Sequence, residues 1–330
     1  MTMEKKKVKI IAETFRTALG FPQVLSKSGS ELLFENDAFT ALFRERFGIA
    51  AENKETFNAA FQSVTEGEGN EITKINSVNS SALLPLLVFY KLYFPKDGQR
   101  IIITIKGNTI DFTKAYFEVK NNVIGRPSCV DVALVSEDDD IMLFLESKLT
   151  EMFEGSTLEK EYGKSYKALY SGTAIEEALN KGGIKVDADA TNLILRSDKE
   201  PQYLEGIKQT ISHLIGLVRG PQETDDQKDY LDAYERASKL IYSPILFDTR
   251  AIFNDNTDES TKFASLYITV IGNNSTSILE AIRNWDMDYG HKGEKNNKRI
   301  EILPSVLTYQ NVMKDNPTWL DERVKTFYGL

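Results

Sequence analysis

The sequence predicts an α/β protein with a mixed central β-sheet flanked by helices and a helical N-terminal lead-in. Three observations carry this expectation. Apolar residues recur at helical spacing through the first quarter; the pattern turns to β-rich runs after Pro95-Lys96-Asp97-Gly98; and helices alternate with short strands from there to the end. The 330 residues suffice for one large domain or two small ones. They divide into a lead-in over 1–95, a core over 96–220 and C-terminal strands and helices over 221–330.

In order, Val8 to Leu19, Glu31 to Phe47, Glu55 to Val64 and Ser81 to Phe94 carry the helical spacing, and Thr65 to Asn70 is a polar loop. Arg100 to Lys106 and Thr109 to Val119 are β-rich, followed by Cys129 to Val135 and Ile141 to Leu149 around an acidic turn. The next stretch is helical, with Tyr162, Tyr166 and Tyr170 at i, i+4 and i+8, a stripe that suits a core better than a base-stacking platform. Tyr203 to Arg219 is the clearest helix, with Leu204, Ile207, Ile211, Leu214 and Val218 as its apolar stripe and Gly220-Pro221 as its stop. Asp229 to Leu240 reads as another helix, Ile241 to Phe247 and Ala264 to Ile271 as strands, and Ser277 to Trp285 as a helix. A basic loop, Lys292 to Arg299, and a final helical piece complete the chain. The loop is the best candidate for phosphate contact.

Composition narrows the chemistry. The longest apolar run, Ala82 to Tyr90, is too short to cross a bilayer, and Glu13 and Arg16 interrupt the stretch after the basic start, so neither a membrane span nor a secretory signal is expected. A lone cysteine, Cys129, excludes an intramolecular disulfide and fits a reducing cytoplasm. With only His213 and His291, a structural zinc site or a multi-histidine nuclease is disfavoured. No G-x-S-x-G elbow, G-x-x-x-x-G-K-[ST] loop or G-x-G-x-x-G turn occurs. The net charge of −9 argues against a wholly basic binding surface but leaves room for a local basic groove. What remains is carboxylate-plus-lysine chemistry.

That chemistry has a place. If Cys129 to Leu149 is a hairpin whose loop is Glu137-Asp138-Asp139-Asp140, Ser136 faces Ile141 and Asp131 faces Glu146. Opposite residues share a face with Cβ atoms roughly 4.5–5.5 Å apart, and Lys148, two residues past Glu146, joins them. Crowded carboxylates repel unless a divalent cation sits between them. Mg²⁺, or Mn²⁺ in its place, takes such oxygen ligands, and a bound ion activates water for attack on phosphorus. The adjacent ammonium can orient that water or neutralise developing charge. The acidic turn itself reads as a solvated loop.

The string PSCVDVALVSEDDDIMLFLESK resembles the PD-(D/E)XK motif of restriction-endonuclease-like nucleases. The family's Asp falls on Asp131, its acidic residue on Glu146 and its Lys on Lys148. Val130 stands where the family usually has proline, with Pro127 earlier. The resemblance implies a restriction-endonuclease-like core in a single nuclease-like domain, a metal on Asp131, Glu146 and the Ser147 main-chain carbonyl, and hydrolysis of nucleic acid, DNA foremost. It also suggests Glu118, Gln209 and Glu151 as supporting residues. ESKLTE, NSSALLPLL and YLEGIKQTISHL extend it to an uncharacterised bacterial branch. A homodimer is compatible with it. Two other readings stand beside the nuclease: a nuclease-like fold that binds nucleic acid or protein without catalysis, and a structural protein with an accidental motif.

Overall fold

The structure, a computed structural model, describes residues 3–35, 39–65, 74–123, 127–150, 204–253, 259–288 and 298–330. The lead-in contains α1 (Met3–Ala18), a ribbon of β1 (Val24–Leu25) and β2 (Glu31–Leu32), α2 (Phe39–Phe47), α3 (Lys54–Thr65) and α4 (Leu83–Phe89). Helix α4 (LLPLLVF) has no polar face, and all of it is buried, as expected of a helix inside a core. The Ser80 hydroxyl accepts the Leu83 N–H at its start. Phe15, Phe21, Phe43, Phe47 and Phe57 pack around these helices, mostly at tilted or edge-on angles.

Turn Pro95–Gly98 leads into a mixed sheet. Its strands are β3 (Ile101–Ile105), β4 (Asn108–Asn121), β5 (Ser128–Ser136), β6 (Ile141–Lys148), β7 (Lys239–Leu246), β8 (Arg299–Ile302) and β9 (Leu307–Thr308). Strands β3 to β6 form an antiparallel meander, and β7 pairs parallel with β6 and with β8 and β9. β6 therefore has neighbours on both sides and is buried on both faces, which explains its near-continuous apolar run. On β7, Pro244 lacks an N–H, and it falls between the segments paired with β8 and with β9.

Helix α5 (Leu204–Arg219) precedes β7 and packs on the face that carries Asp131 and Glu146. Ile211 and Leu214 of its stripe are buried, and Val218 is partly buried. Gly216 lets it approach closely: a Cβ there would stand 2.7 Å from the Asn121 Cβ on β4. Helix α6 (Lys228–Arg236) follows, its Tyr230 against Phe144 and Tyr116. Then come α7 (Glu259–Tyr267), α8 (Ser275–Asp288), α9 (Tyr309–Asp315) and α10 (Glu322–Tyr328). The sheet curls until its edges meet: Lys106, after β3, pairs with Glu301 on β8. The Asn316 amide both accepts from Ile102 N–H and donates to Ile102 C=O, closing the exposed side of edge strand β3.

Four expectations need correction. Glu31 to Phe47 is not one helix. Glu31 and Leu32 pair in the ribbon, the Asn76 amide holds both polar groups of the Phe34 main chain, and helix begins at Phe39. Ala264 to Ile271 is helix and π-turn rather than strand, since Phe263, Tyr267 and Ile271 are buried at four-residue spacing while Ile268 is exposed. The helix expected to Leu240 stops at Arg236, because Lys239 and Leu240 already pair with Ile141 and Met142. The helix expected to Phe94 ends at Phe89 and tightens into a 3₁₀ turn over Tyr90–Leu92. The short strands β8 and β9 had no counterpart in the sequence reading. Among the described residues, no helix is long and apolar enough to cross a membrane.

Candidate active site

The hairpin register matches the expectation. Pairs Val132↔Leu145, Ala133↔Phe144, Leu134↔Leu143 and Val135↔Met142 define it, and the same alignment carries Asp131 to Glu146. The main-chain pairing ends at Val132↔Leu145. There the Asp131 carboxylate takes over: its Oδ2 accepts the Ser147 N–H at 2.6 Å. N–H and C=O of one strand residue point to the same side, so the Ser147 carbonyl also looks toward β5. The Lys148 carbonyl looks the other way and accepts the Phe247 N–H.

Glu146 and Lys148 are both buried, at 3% and 7% exposure, which requires that their charges be paired. Lys148 Nζ donates to Glu146 Oε1 at 2.8 Å and to Gln209 Oε1 at 2.7 Å. Gln209 thus reaches the site from α5, as the resemblance suggested. One turn later His213, also buried, brings Nδ1 to 3.6 Å from Glu146 Oε2 and 3.1 Å from the Tyr242 hydroxyl. Glu146 Oε2 is buried without a hydrogen-bond partner among the described residues.

Burial pushes the Asp131 carboxyl well above the usual carboxylate range. Glu146 and then Glu118 push it the same way, against Lys148 and the Ser147 N–H. Burial acts on Glu146 too, but the Lys148 ammonium, bonded to it, outweighs burial and holds that carboxyl below its ordinary value. Of this pair, Asp131 is the member that resists ionisation, and Glu146 the member that the Lys148 ammonium favours as a carboxylate. Burial lowers His213, only partly offset by Glu146.

Glu118 lies on β4 where the register runs Phe117↔Val132 and Val119↔Val130, hence across from Asp131. Its φ of 48° is left-handed in the middle of a strand, a conformation that costs energy for a residue with a Cβ. It influences Asp131 through charge. Among the described residues no three His, Cys, Asp or Glu side chains form a group that could hold a metal ion.

The opposite face of β6 is structural. Ser147 Oγ accepts from the Tyr309 hydroxyl at 2.9 Å, and Asn79, from the NSSALLPLL segment, donates to Thr150 Oγ1 at 2.8 Å. Glu151, the Tyr162/Tyr166/Tyr170 stripe, the Thr65 to Asn70 loop beyond Thr65, His291 and residues 292–297 of the basic loop lie outside the described residues. The end of that loop is described, and Lys298 donates to the Glu235 and Ala237 carbonyls at the C-terminal end of α6. The sequence reading missed Tyr242, Thr210 and Tyr309. Tyr242 reaches the site only through the parallel register Phe144↔Tyr242, between strands nearly a hundred residues apart, and no local pattern signals that pairing.

No family model matches the chain, and no curated protein and no solved structure matches it.

Proposed function

We propose that this protein is a metal-dependent nuclease of the PD-(D/E)XK kind, acting on DNA foremost, with a restriction-endonuclease-like core. The observation that carries this reading is the convergence of Asp131, Glu146 and Lys148 at one end of the β5–β6 hairpin, with Gln209 securing the lysine. The antiparallel meander, the helix α5 and the parallel strand β7 support the core assignment.

The residues suit a hard divalent cation such as Mg²⁺ or Mn²⁺. Two carboxylates stand at matched register, and one of them has a buried oxygen that no donor among the described residues satisfies. Asp131, Glu146 Oε2 and the Ser147 carbonyl would hold it. When bound, such an ion polarises a phosphoryl oxygen and lowers the pKa of water. The chain supplies the rest. Lys148, fixed between Glu146 and Gln209, presents its positive charge to an attacking water or to a phosphoryl oxygen gaining charge. Burial of Glu146, Lys148 and His213 keeps competing water from that contact.

A second reading, a nuclease-like module that binds without cleaving, is favoured by one observation. One oxygen of each carboxylate is already engaged, by Ser147 N–H and by Lys148. Cleavage of single-stranded DNA, duplex DNA and RNA with Mg²⁺, Mn²⁺ or chelator, by wild type and by Lys148→Ala, separates the two. The enzyme reading expects metal-dependent cleavage lost in the variant. Nucleic-acid binding with equal, metal-independent background cleavage in both proteins would replace it with the binding module.

A further inference from the structure

Glu146 Oε2 is the odd atom of the site. It is a carboxylate oxygen in a buried position, next to a histidine, with no hydrogen bond to any of the described residues. The hydrogen-bond directions around His213 explain why. The ring bonds the Cys129 main chain, and a carbonyl only accepts, so the ring donates there. With Nδ1 turned toward Tyr242 and Glu146, that donation falls to Nε2–H. Nδ1 of the neutral ring is then an acceptor, and the partner at 3.1 Å, the Tyr242 hydroxyl, donates to it. Thr210 Oγ1, one position after Gln209, lies 3.4 Å from the same hydroxyl and steadies it. Glu146 Oε2 at 3.6 Å therefore faces a lone pair rather than a proton.

We infer that His213 and Tyr242 are positioning residues that fix the Glu146 carboxylate from behind while withholding a hydrogen-bond donor from Oε2, so that this oxygen stays free for a divalent cation. The inference rests on the metal-dependent reading above and adds to it the two residues that prepare the ligand. Partners of this kind, one step removed from a metal, commonly change affinity about 10–100-fold when removed.

Two measurements test it. The first needs no metal and no variant at either residue. His291→Gln leaves His213 as the only histidine, and ¹⁵N chemical shifts then report its tautomer. The Nε2–H form is expected, and an Nδ1–H form overturns the inference, because Oε2 would then have its donor. The second is Mn²⁺ binding by calorimetry to wild type, Tyr242→Phe and His213→Gln, with melting in chelator recorded beside it. The glutamine amide can donate to Oε2. Both variants are expected to bind Mn²⁺ at least about tenfold more weakly, with Tyr242→Phe melting close to wild type. Variants that bind like wild type overturn the positioning role and leave the nuclease reading intact. Wild type that shows the Nε2–H tautomer yet binds no Mn²⁺ overturns both, since the free oxygen would then have no cation to receive.

Discussion

The two ends of the β5–β6 hairpin carry the same kind of residue in opposite circumstances. At the turn, Glu137 to Asp140 place four acidic residues in a row. Most are exposed, Asp138 accepts from Ser136 Oγ and from the Asp140 N–H, and Asp139 sits between Lys114 and Arg236. The Ser136 hydroxyl and the turn N–H hold Asp138 below the usual carboxylate range. At the far end only Asp131 and Glu146 meet, with Glu118 beyond, yet Asp131 is driven well above that range by burial. The density of like charge does not decide the outcome. Water does: it screens the turn, whereas α5 removes it from the other end, where each charge must find a specific partner.

The largest expected effect at the buried end is that of Lys148→Met, which keeps volume and removes the ammonium. Nuclease assays should lose on the order of a thousandfold in rate, and urea melts should lose about 3–5 kcal/mol because Glu146 is left buried and unpaired. Asp138→Asn at the turn should leave both measurements near wild type. Equal effects at the two ends would dissolve the contrast.

Added metal sharpens it next. At about a hundredfold excess over Kd, Mg²⁺ should raise wild-type stability by about 2.7 kcal/mol and leave Asp131→Asn unmoved. Thermal melts with chelator and with Mg²⁺ read this directly, and a shift that survives in Asp131→Asn would assign the ion to another place.

Without metal, Asp131→Asn should be as stable as wild type at neutral pH or more stable, by on the order of 1 kcal/mol. The amide oxygen can still accept the Ser147 N–H, and the repelled charge is gone. The pH dependence follows from the raised folded-state pKa. The Asp131 contribution is fully present below the unfolded value of about 3.9 and is lost as pH rises through the folded value. Asp138, with its lowered pKa, runs the other way: its contribution is present above the unfolded value and is lost as pH falls through the folded one. Chelator melts across pH should therefore show Asp131→Asn gaining on wild type as pH rises. A variant that instead falls well below wild type would mark Asp131 as a structural ion-pair partner.

The smallest effect belongs to the turn. Ser136→Ala removes the hydroxyl that donates to Asp138 and accepts from the Ile141 N–H, at a cost of about 1 kcal/mol. Cleavage should be unchanged, which a parallel assay checks.

How much of this was legible beforehand depended on range. Strand alternation is a local, period-two rule, so the hairpin length alone determined that Asp131 faces Glu146 and that Lys148 shares their face. The stripe of α5 and the all-apolar α4 were equally local. The β-branched residues of Ala264 to Ile271 predict strand, and the segment is helix and π-turn instead. The burial of Phe263, Tyr267 and Ile271 against the sheet outweighed the local propensity, and Gly272 closes on the Pro304 main chain. By itself, then, the sequence determined which carboxylates and which lysine stand together. The tertiary structure decided what they become. The parallel pairing of β6 with β7 brings Tyr242 to the site, and the docking of α5 brings Gln209 and His213. Together these remove the water around Glu146, and with it the screening that would otherwise have left three ordinary exposed charges.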